Sequence, residues 1–556
     1  MTDAVADRAP AGPPPGAPPS GAPPGGWGTF ALAPRRADGE INWVLIYVGF
    51  GAMVLGQFMA MLDIQIVASS LPQIQAGIGA SADEVSWIQT AYLIPEVVMI
   101  PLAGFLSRLF GTQKVFMVSC VGFTAMSVLT GFSTDIDMMI ITRALQGFIG
   151  GAMIPTVFAI TFVAFPPERR TTATTIMGLI VTLAPTLGPT LGGHITEALS
   201  WRWLFFINVV PGVVVTYLVW RFGRFDEGDA RLAKGFDWWG LALMATFLMS
   251  LEYVLEKGAA DDWFADDRIL WLTVLAAVSG ATFVWRQLSY RNPIVQLLCF
   301  GDRNFTIGIV MNFVNGASIF SGTFLIPLYL GRIRGYSAAQ IGTTMLISGL
   351  TMFFIAPIAG RIVRRYDSRI SLVIGFVISG AGLWTGHAMS DQWAFPEFAA
   401  LQALRSGGSM LAMIAAQMMA ISTLSPALAQ SGSGLINLAR NVGGAVGLAV
   451  LSTLLSHQVA EHMNDLASAV TLSDPQAQAM LAGLAQRMQS LGLADPAAAS
   501  RMAFQFMLSR QAQVLSYADC FSTMAVACLA AAALAMTAKS APPQNWSAPA
   551  KPAEAH

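Results

Sequence analysis

A chain of 556 residues with 54% apolar and only 11% charged positions departs from soluble composition, in which about a quarter of residues are charged. Its net charge of −1 gives no electrostatic basis for a nucleic-acid partner. Composition leaves a polytopic helical membrane protein, because the apolar residues fall into about fourteen runs of roughly twenty. Each run is long enough to cross a hydrocarbon layer ~30 Å thick once, and the helix is the only spanning form open to it.

Residues 1–42 form a tail in which Pro10 to Gly26 are only Pro, Gly, Ala and Ser, a composition that predicts disorder. No basic stretch leads directly into an apolar one there, so the first span is expected to remain in the mature protein. The predicted spans are 43–63 (helical beyond Asp63), 86–106, 113–132, 137–162, 171–195, 203–221, 237–255, 268–287, 305–330, 338–362, 370–388, 395–423, 431–455 and 517–538. The expected division is a first six-helix bundle over 43–225, two extra helices over 226–290 and a second six-helix bundle over 291–538. A second tail follows over 539–556. Lys and Arg place the loops: about seventeen fall on one side, among them Arg108, Lys114, Arg169, Arg364 and Arg369, against about five on the other. That side is expected to be cytoplasmic and to carry both termini. The outer loops instead collect Asp83, Asp135, Asp261 and Asp266. One outer segment, about 457–511, is long and polar, with apolar residues at helical spacing. Two readings stay open for it, an amphipathic helix lying on the outer leaflet or a docking surface for a periplasmic partner.

The four cysteines, Cys120, Cys299, Cys520 and Cys528, have no metal-ligand spacing and read as small apolar fillers. Two segments repeat. Pro101-Leu102-Ala103-Gly104 runs into Arg108 and Lys114, and Pro357-Ile358-Ala359-Gly360 runs into Arg361 and Arg364, each at the end of the second helix of a six-helix set. Arg143 and Arg405 both fall in the fourth helix of their set. Parallel repeats of this kind place a transporter's substrate site near the midplane, between the repeats.

These residues, with Leu62-Asp63-Ile64-Gln65-Ile66-Val67, Gly104-Phe105-Leu106-Ser107-Arg108-Leu109-Phe110-Gly111, Arg143-Ala144-Leu145-Gln146-Gly147, Ala184-Pro185-Thr186-Leu187-Gly188-Pro189-Thr190-Leu191-Gly192-Gly193, Trp201 to Val209 and Asn292-Pro293-Ile294-Val295, occur in order along the chain. By them the chain resembles the major facilitator superfamily, and within it the fourteen-spanner drug:proton antiporters of the EmrB/QacA type, closest to EmrB. The resemblance implies an all-helical fold of two six-helix bundles plus two extra central helices. It implies export of lipophilic or amphipathic drugs, driven by the proton gradient with no cofactor, from a bacterial inner membrane. It also implies a tripartite pump, with an EmrA-like periplasmic adaptor and a TolC-like outer-membrane channel. Two departures stand out. The loop motif Gly104, Arg108, Gly111, Lys114, expected to gate, has Arg108 where the family carries an acid. Gln65 and Ala68 replace the usual Thr and Asn of the first helix.

Ionisable groups inside spans are expensive and face a cavity or a partner. Asp63, Glu96 and Arg143 are therefore the proton-coupling candidates. A carboxyl that alternates between a desolvated setting and one near a guanidinium can carry a proton; a static Asp–Arg or Glu–Arg pair that holds helices in register is the alternative. Pro185, Gly188, Pro189, Gly192 and Gly193 predict a tight, bent contact between the halves. A substrate cavity lined by Gln65, Gln146, Asn312, Phe313, Asn315, Trp384, Gln402, Arg405, Gln417, Asn437 and Arg440 is expected, with Arg405 and Arg440 facing either an acidic substrate or lipid head groups. No Walker loop, zinc motif or nucleophile elbow occurs, so no enzyme, metal or ATP-driven pump is expected. The alternatives kept are a dedicated exporter of one endogenous metabolite or lipid, and a non-transporting receptor or sensor.

Overall fold

The structure, a computed structural model, describes residues 42–539 except 86, 224, 227, 291, 292, 425, 470–474 and 491–494. Both expected tails therefore lie almost wholly outside the described residues, as does Asn292.

The described chain is all-helical. α1 (Trp43–Ser69) is followed by short α2 (Leu71–Ile78) and α3 (Ala82–Val85), then α4 (Trp87–Phe110) and α5 (Thr112–Gly131). The fourth expected span is broken into α6 (Ile136–Gly150) and α7 (Met153–Val163), with Gly151 and Ala152 between them. α8 (Pro167–Ala198), short α9 (Trp203–Phe206) and α10 (Val209–Phe222) complete the first stretch. The hairpin α11 (Trp238–Lys257) and α12 (Asp267–Ser289) leads to α13 (Arg303–Arg332), α14 (Ala338–Arg365), α15 (Ser368–Trp384) and α16 (Phe395–Ser422). α17 (Pro426–Ala469), α18 (Pro475–Ser490) and α19 (Pro496–Ala535) close the chain.

Twelve of the described helices, counting α6 with α7 and α9 with α10 as one each, are long and apolar enough to cross a membrane. α8 and α16 form over the expected spans 171–195 and 395–423 but are not among the twelve. Both are rich in small and polar residues: α8 carries a Thr, Gly and Pro run, and α16 holds Gln402, Arg405, Ser406 and Ser409, all buried. A helix enclosed by other helices needs close packing more than an apolar surface. Apolarity alone thus leaves the expected count of fourteen two short.

Two cores separate along the sequence. One draws only on residues between Ile46 and Phe225, the other only on residues between Ile307 and Ala538. A third apolar cluster draws on both stretches, including Leu102 and Phe105 of α4, Ile421 of α16 and Leu435 of α17. Apolar side chains gain little by leaving lipid, so contact depends on small residues. Gly147 of α6 lies where an added Cβ would be 2.1 Å from the Tyr92 carbonyl oxygen of α4, and at Gly408 of α16 it would be 2.3 Å from the Ser379 amide of α15.

The hairpin α11–α12 shows the interfacial aromatic pattern of a membrane element. Trp238, Trp239 and Trp285 are exposed toward one end and Trp271 toward the other. Within 457–511 the described residues continue α17, form α18 and begin α19. α17 has 44 residues and α19 has 40, and at 1.5 Å per residue each is about 60 Å or more long, roughly twice the hydrocarbon thickness. α18 packs against α19, and His462 of α17 lies 2.7 Å from the Asp519 carboxylate of α19.

Candidate transport site

The first polar centre sits where α1, α4, α6 and the start of α10 converge. Arg143 Nη1 donates to Asp63 Oδ2 at 2.6 Å, both side chains being fully buried. The other Asp63 oxygen accepts from Asn208 Nδ2 at 2.7 Å and Gln146 Nε2 at 3.4 Å. Arg143 Nε donates to the Ile88 carbonyl at 3.2 Å, and its guanidinium carbon lies 4.3 Å from the Tyr92 ring centre. Asp63 thus meets three donors from three partners. That is the geometry of a locked ion pair joining α1 to α6, and Asn208 is its third member. Asn208 falls within the Trp201 to Val209 stretch of the sequence, but its partner Asp63 lies 145 residues away.

Beside this pair lies an open cavity of about 160 Å³. Gln65 of α1, Glu96 of α4, Glu252 and Glu256 of α11, Arg405 of α16 and Arg440 of α17 line it, among Met61, Met345, Met352 and Met413 and other apolar side chains. The charges are segregated: all three carboxylates stand on α4 and α11, and both guanidinium groups on α16 and α17. Glu96 is 94% buried by its 6% exposure, and no hydrogen bond or ion pair reaches it among the described residues. Arg405 occupies the place in its repeat that Arg143 has in the first, but forms no ion pair among the described residues. It donates to Ser318 O at 3.3 Å, Ser348 Oγ at 3.0 Å and Ser406 Oγ at 3.3 Å, while its Nε has no partner among the described residues. Gly322 makes room for it, since a Cβ there would lie 2.5 Å from the guanidinium carbon. Arg440 Nη2 donates to Asn437 Oδ1 at 2.5 Å and its guanidinium carbon lies 5.3 Å from the Phe158 ring centre.

Of the eleven residues expected around a substrate, Gln65, Arg405 and Arg440 line the cavity. Gln146 instead serves the Asp63 pair. Gln402 lies behind the wall, its Nε2 donating to Thr344 O and its Oε1 accepting from Ser348 Oγ. Asn437 supports Arg440. Asn312, whose Nδ2 donates to Gly308 O, Asn315 and Gln417 are buried between helices, and Phe313 is half-buried; none lines the cavity. Trp384 is 49% exposed, stacks on His387 at 5.5 Å and faces outward. Helical periodicity gives a face for such residues but not which neighbour the face meets.

The helix-five motif makes two contacts. Gly188 sits against α1 of its own stretch, where a Cβ would be 2.4 Å from Gln65 Cβ. The approach across to the second stretch comes from a glycine outside the motif: at Gly342 of α14 a Cβ would lie 2.2 Å from Thr190 Oγ1 of α8. The expected contact between halves therefore exists along α8 and α14, but Gly188 does not make it. Gly192 is buried and Gly193 half-buried; the side chains of Pro185 and Pro189 lie outside the described set.

In the loop motif, Gly111 has φ 91°, a left-handed turn that favours glycine, and opens α5. Arg108 stands over Phe105 at 5.8 Å, Gly104 has open space beside it and Lys114 is exposed. The acid missing at Arg108 has a counterpart elsewhere. Asp226, in the loop after α10, accepts from the Thr112 amide at 2.9 and 3.1 Å and from Thr112 Oγ1 at 2.6 Å. The Asp229 amide donates to Arg108 O at 2.8 Å. A carboxylate at the positive N-terminal end of α5 is favourably placed.

Residues 53–448 match the family model of the Major Facilitator Superfamily. The chain is 36% identical over 422 residues to the colistin resistance protein EmrB of Acinetobacter baumannii, covering 76% of this chain and 82% of that one. It is 29% identical over 471 residues to the multidrug export protein EmrB of Escherichia coli K12, covering 84% and 91%. To the fatty acid resistance protein FarB of Neisseria gonorrhoeae it is 30% identical over 442 residues, covering 79% and 85%. Among solved structures it is similar in fold to the human organic anion transporter MFSD10 (TETRAN), with TM-score 0.55 and 13% identity over 88% of this chain and 99% of that one.

Proposed function

The chain belongs to the major facilitator superfamily, as a drug-efflux transporter of EmrB type, and on that premise we propose that it is a proton antiporter with Glu96 as the proton carrier. The carrying observation is the contrast between two buried carboxyls. Asp63 is held by Arg143, Asn208 and Gln146, whereas Glu96 faces the cavity unpaired. A carboxyl facing an alternately opened cavity can load a proton on one side and release it on the other; one fixed against a guanidinium cannot readily do so. No enzymatic step and no cofactor enters this reading, only the proton gradient.

The membrane is taken to be a bacterial inner membrane with both termini cytoplasmic, on the strength of the Lys and Arg asymmetry. The division into 43–225, 226–290 and 291–538 is supported by the two separate cores. The projecting ends of α17 and α19, with exposed Met502, Phe506 and Met507, suit an EmrA-like adaptor that leads to a TolC-like channel. Substrates on this reading are amphipathic, their apolar part against methionine side chains, which adapt to varied shapes. An anionic head group has two guanidinium partners in Arg405 and Arg440. That same pair supports the second reading, a dedicated exporter of one endogenous acidic metabolite or lipid.

The test uses the purified chain in proteoliposomes with an imposed proton gradient. Three probes are offered: ethidium, dansylundecanoic acid and colistin. Gradient-driven counterflow of several is the expected result, with the acid among them. Transport of one acid alone favours the dedicated exporter. Binding without translocation of any probe contradicts antiport and marks a receptor.

A further inference from the structure

The two extra helices match nothing in either repeat, yet they bring charge to the transport cavity. α11 packs against both α4 and α17, with α12 behind it. It therefore covers the seam between those two helices, and Glu252 and Glu256 reach the cavity alongside Leu93, Glu96 and Val97 of α4 and Asn441 of α17.

The placement is fixed from both ends of the hairpin. At one end the Tyr253 ring lies 5.7 Å from that of Trp87, Lys257 Nζ stands 5.7 Å over the same Trp87 ring, and Trp263 Nε1 donates to Thr453 Oγ1 at 2.8 Å. At the other, Asp237 accepts from Arg286 Nε at 2.6 Å and Gln287 Nε2 at 3.3 Å, binding α11 to α12. A hairpin that only filled space would present apolar residues at this depth, since a carboxyl within a span is costly. Glu252 is half-buried and forms no hydrogen bond or ion pair among the described residues.

We propose that Glu252 is a second proton-binding residue of the transport cycle, so that the inserted hairpin sets how many protons cross per substrate. The inference rests on the antiport reading above. Four charged groups share the cavity with Glu252: Glu96 on α4, Glu256 one turn nearer the loop, Arg405 on α16 and Arg440 on α17. From its own hairpin come Lys257, over Trp87, and Asp267 and Arg268, which line a separate groove with Tyr253. The cavity is built for ligands rather than being an acidic patch. Glu96 is nearly fully buried without a hydrogen-bond partner among the described residues, and so is the Nε of Arg405. Two carboxylates in one apolar-walled space repel when both are charged. A proton taken from water by Glu252, and later returned to water on the other side, removes that repulsion while Glu96 is ionised. Substrate and protons then alternate in the cavity, with no other co-reactant needed.

The experiment measures the proton-to-substrate ratio of the full chain in proteoliposomes. Opposing pH and substrate gradients are balanced until net flux stops, with whichever of the three probes moves fastest. Glu252→Gln is expected to transport with one proton fewer, so the substrate gradient held by about one pH unit falls about tenfold. Glu252→Asp, which restores a carboxyl, should recover the original ratio. An unchanged ratio in Glu252→Gln overturns the proposal. So does loss of all transport in both variants, which would make the position a packing residue. If the unmodified chain shows no proton-driven flux, the antiport reading fails first, and the two failures are told apart.

Discussion

Arg143 and Asp63 meet at 2.6 Å, both fully buried, while Arg405, at the matching place in the second repeat, donates among the described residues to two serine hydroxyls and a carbonyl. One repeat has spent its carboxylate on joining helices; the other leaves its guanidinium to the cavity. A near-symmetric scaffold thereby acquires two different polar centres.

Asp63→Asn should cost stability more than it costs coupling. Removing one partner from a buried ion pair leaves the other charge uncompensated, typically at about 3–5 kcal/mol. The variant is expected to melt at a clearly lower temperature in detergent, with residual proton-driven transport in liposomes at low temperature. An unchanged melting temperature would show that Arg143 does not depend on Asp63.

Gly342→Leu and Gly188→Leu should differ. The first drives a side chain into Thr190 across the α8–α14 contact, the second into Gln65 of α1. Overpacking typically costs ~1–3 kcal/mol. Both are expected to insert into the membrane, and transport should be lost in both. Cysteine crosslinking between α8 and α14 should fall only in Gly342→Leu. Equal crosslinking in the two variants contradicts the assignment.

Asp226→Ala removes three Thr112 hydrogen bonds at the start of α5. Loss of a helix N-cap costs about 0.5–2 kcal/mol, so a modest drop in melting temperature is expected. Protease access to the loop after α10 should rise. No change in either would leave the Asp226 contact without a role.

Deleting 471–493 removes α18 and its flanks. Transport in proteoliposomes should persist, while cellular resistance and co-purification of an adaptor disappear. Adaptor binding that survives would place docking elsewhere on the outer face, and loss of liposome transport would assign the segment to the gate.

Much of the fold is legible because apolar runs and breakers mark helices to within a few residues: the expected 237–255 is Trp238–Lys257, and 370–388 is Ser368–Trp384 with one further turn. The break at Gly151 and Ala152 was not, since both residues are apolar and small. The extension of α17 and α19 beyond 431–455 and 517–538 is not legible, because a polar helix held by its neighbours has the same pattern as an amphipathic one on lipid. The site was half legible. Glu96, Gln65, Arg405 and Arg440 stood out as polar groups inside spans. Asn312, Asn315, Gln402 and Trp384 stood out equally, yet they face other helices or the outside. Which face meets the cavity depends on long-range packing. Glu252 and Glu256 were missed although their signal was present: two carboxyls four residues apart share one face of an apolar helix.

The central claim is that Glu96 carries the proton, and Glu96→Gln tests it most directly. The amide keeps the shape and hydrogen-bonding ability of the carboxyl but cannot titrate. Measured as substrate counterflow against an imposed pH gradient in proteoliposomes, with probe binding measured in parallel, the variant should bind its probe as before and show no gradient-driven accumulation. Gradient-driven transport equal to that of the unmodified chain would remove Glu96 from the mechanism.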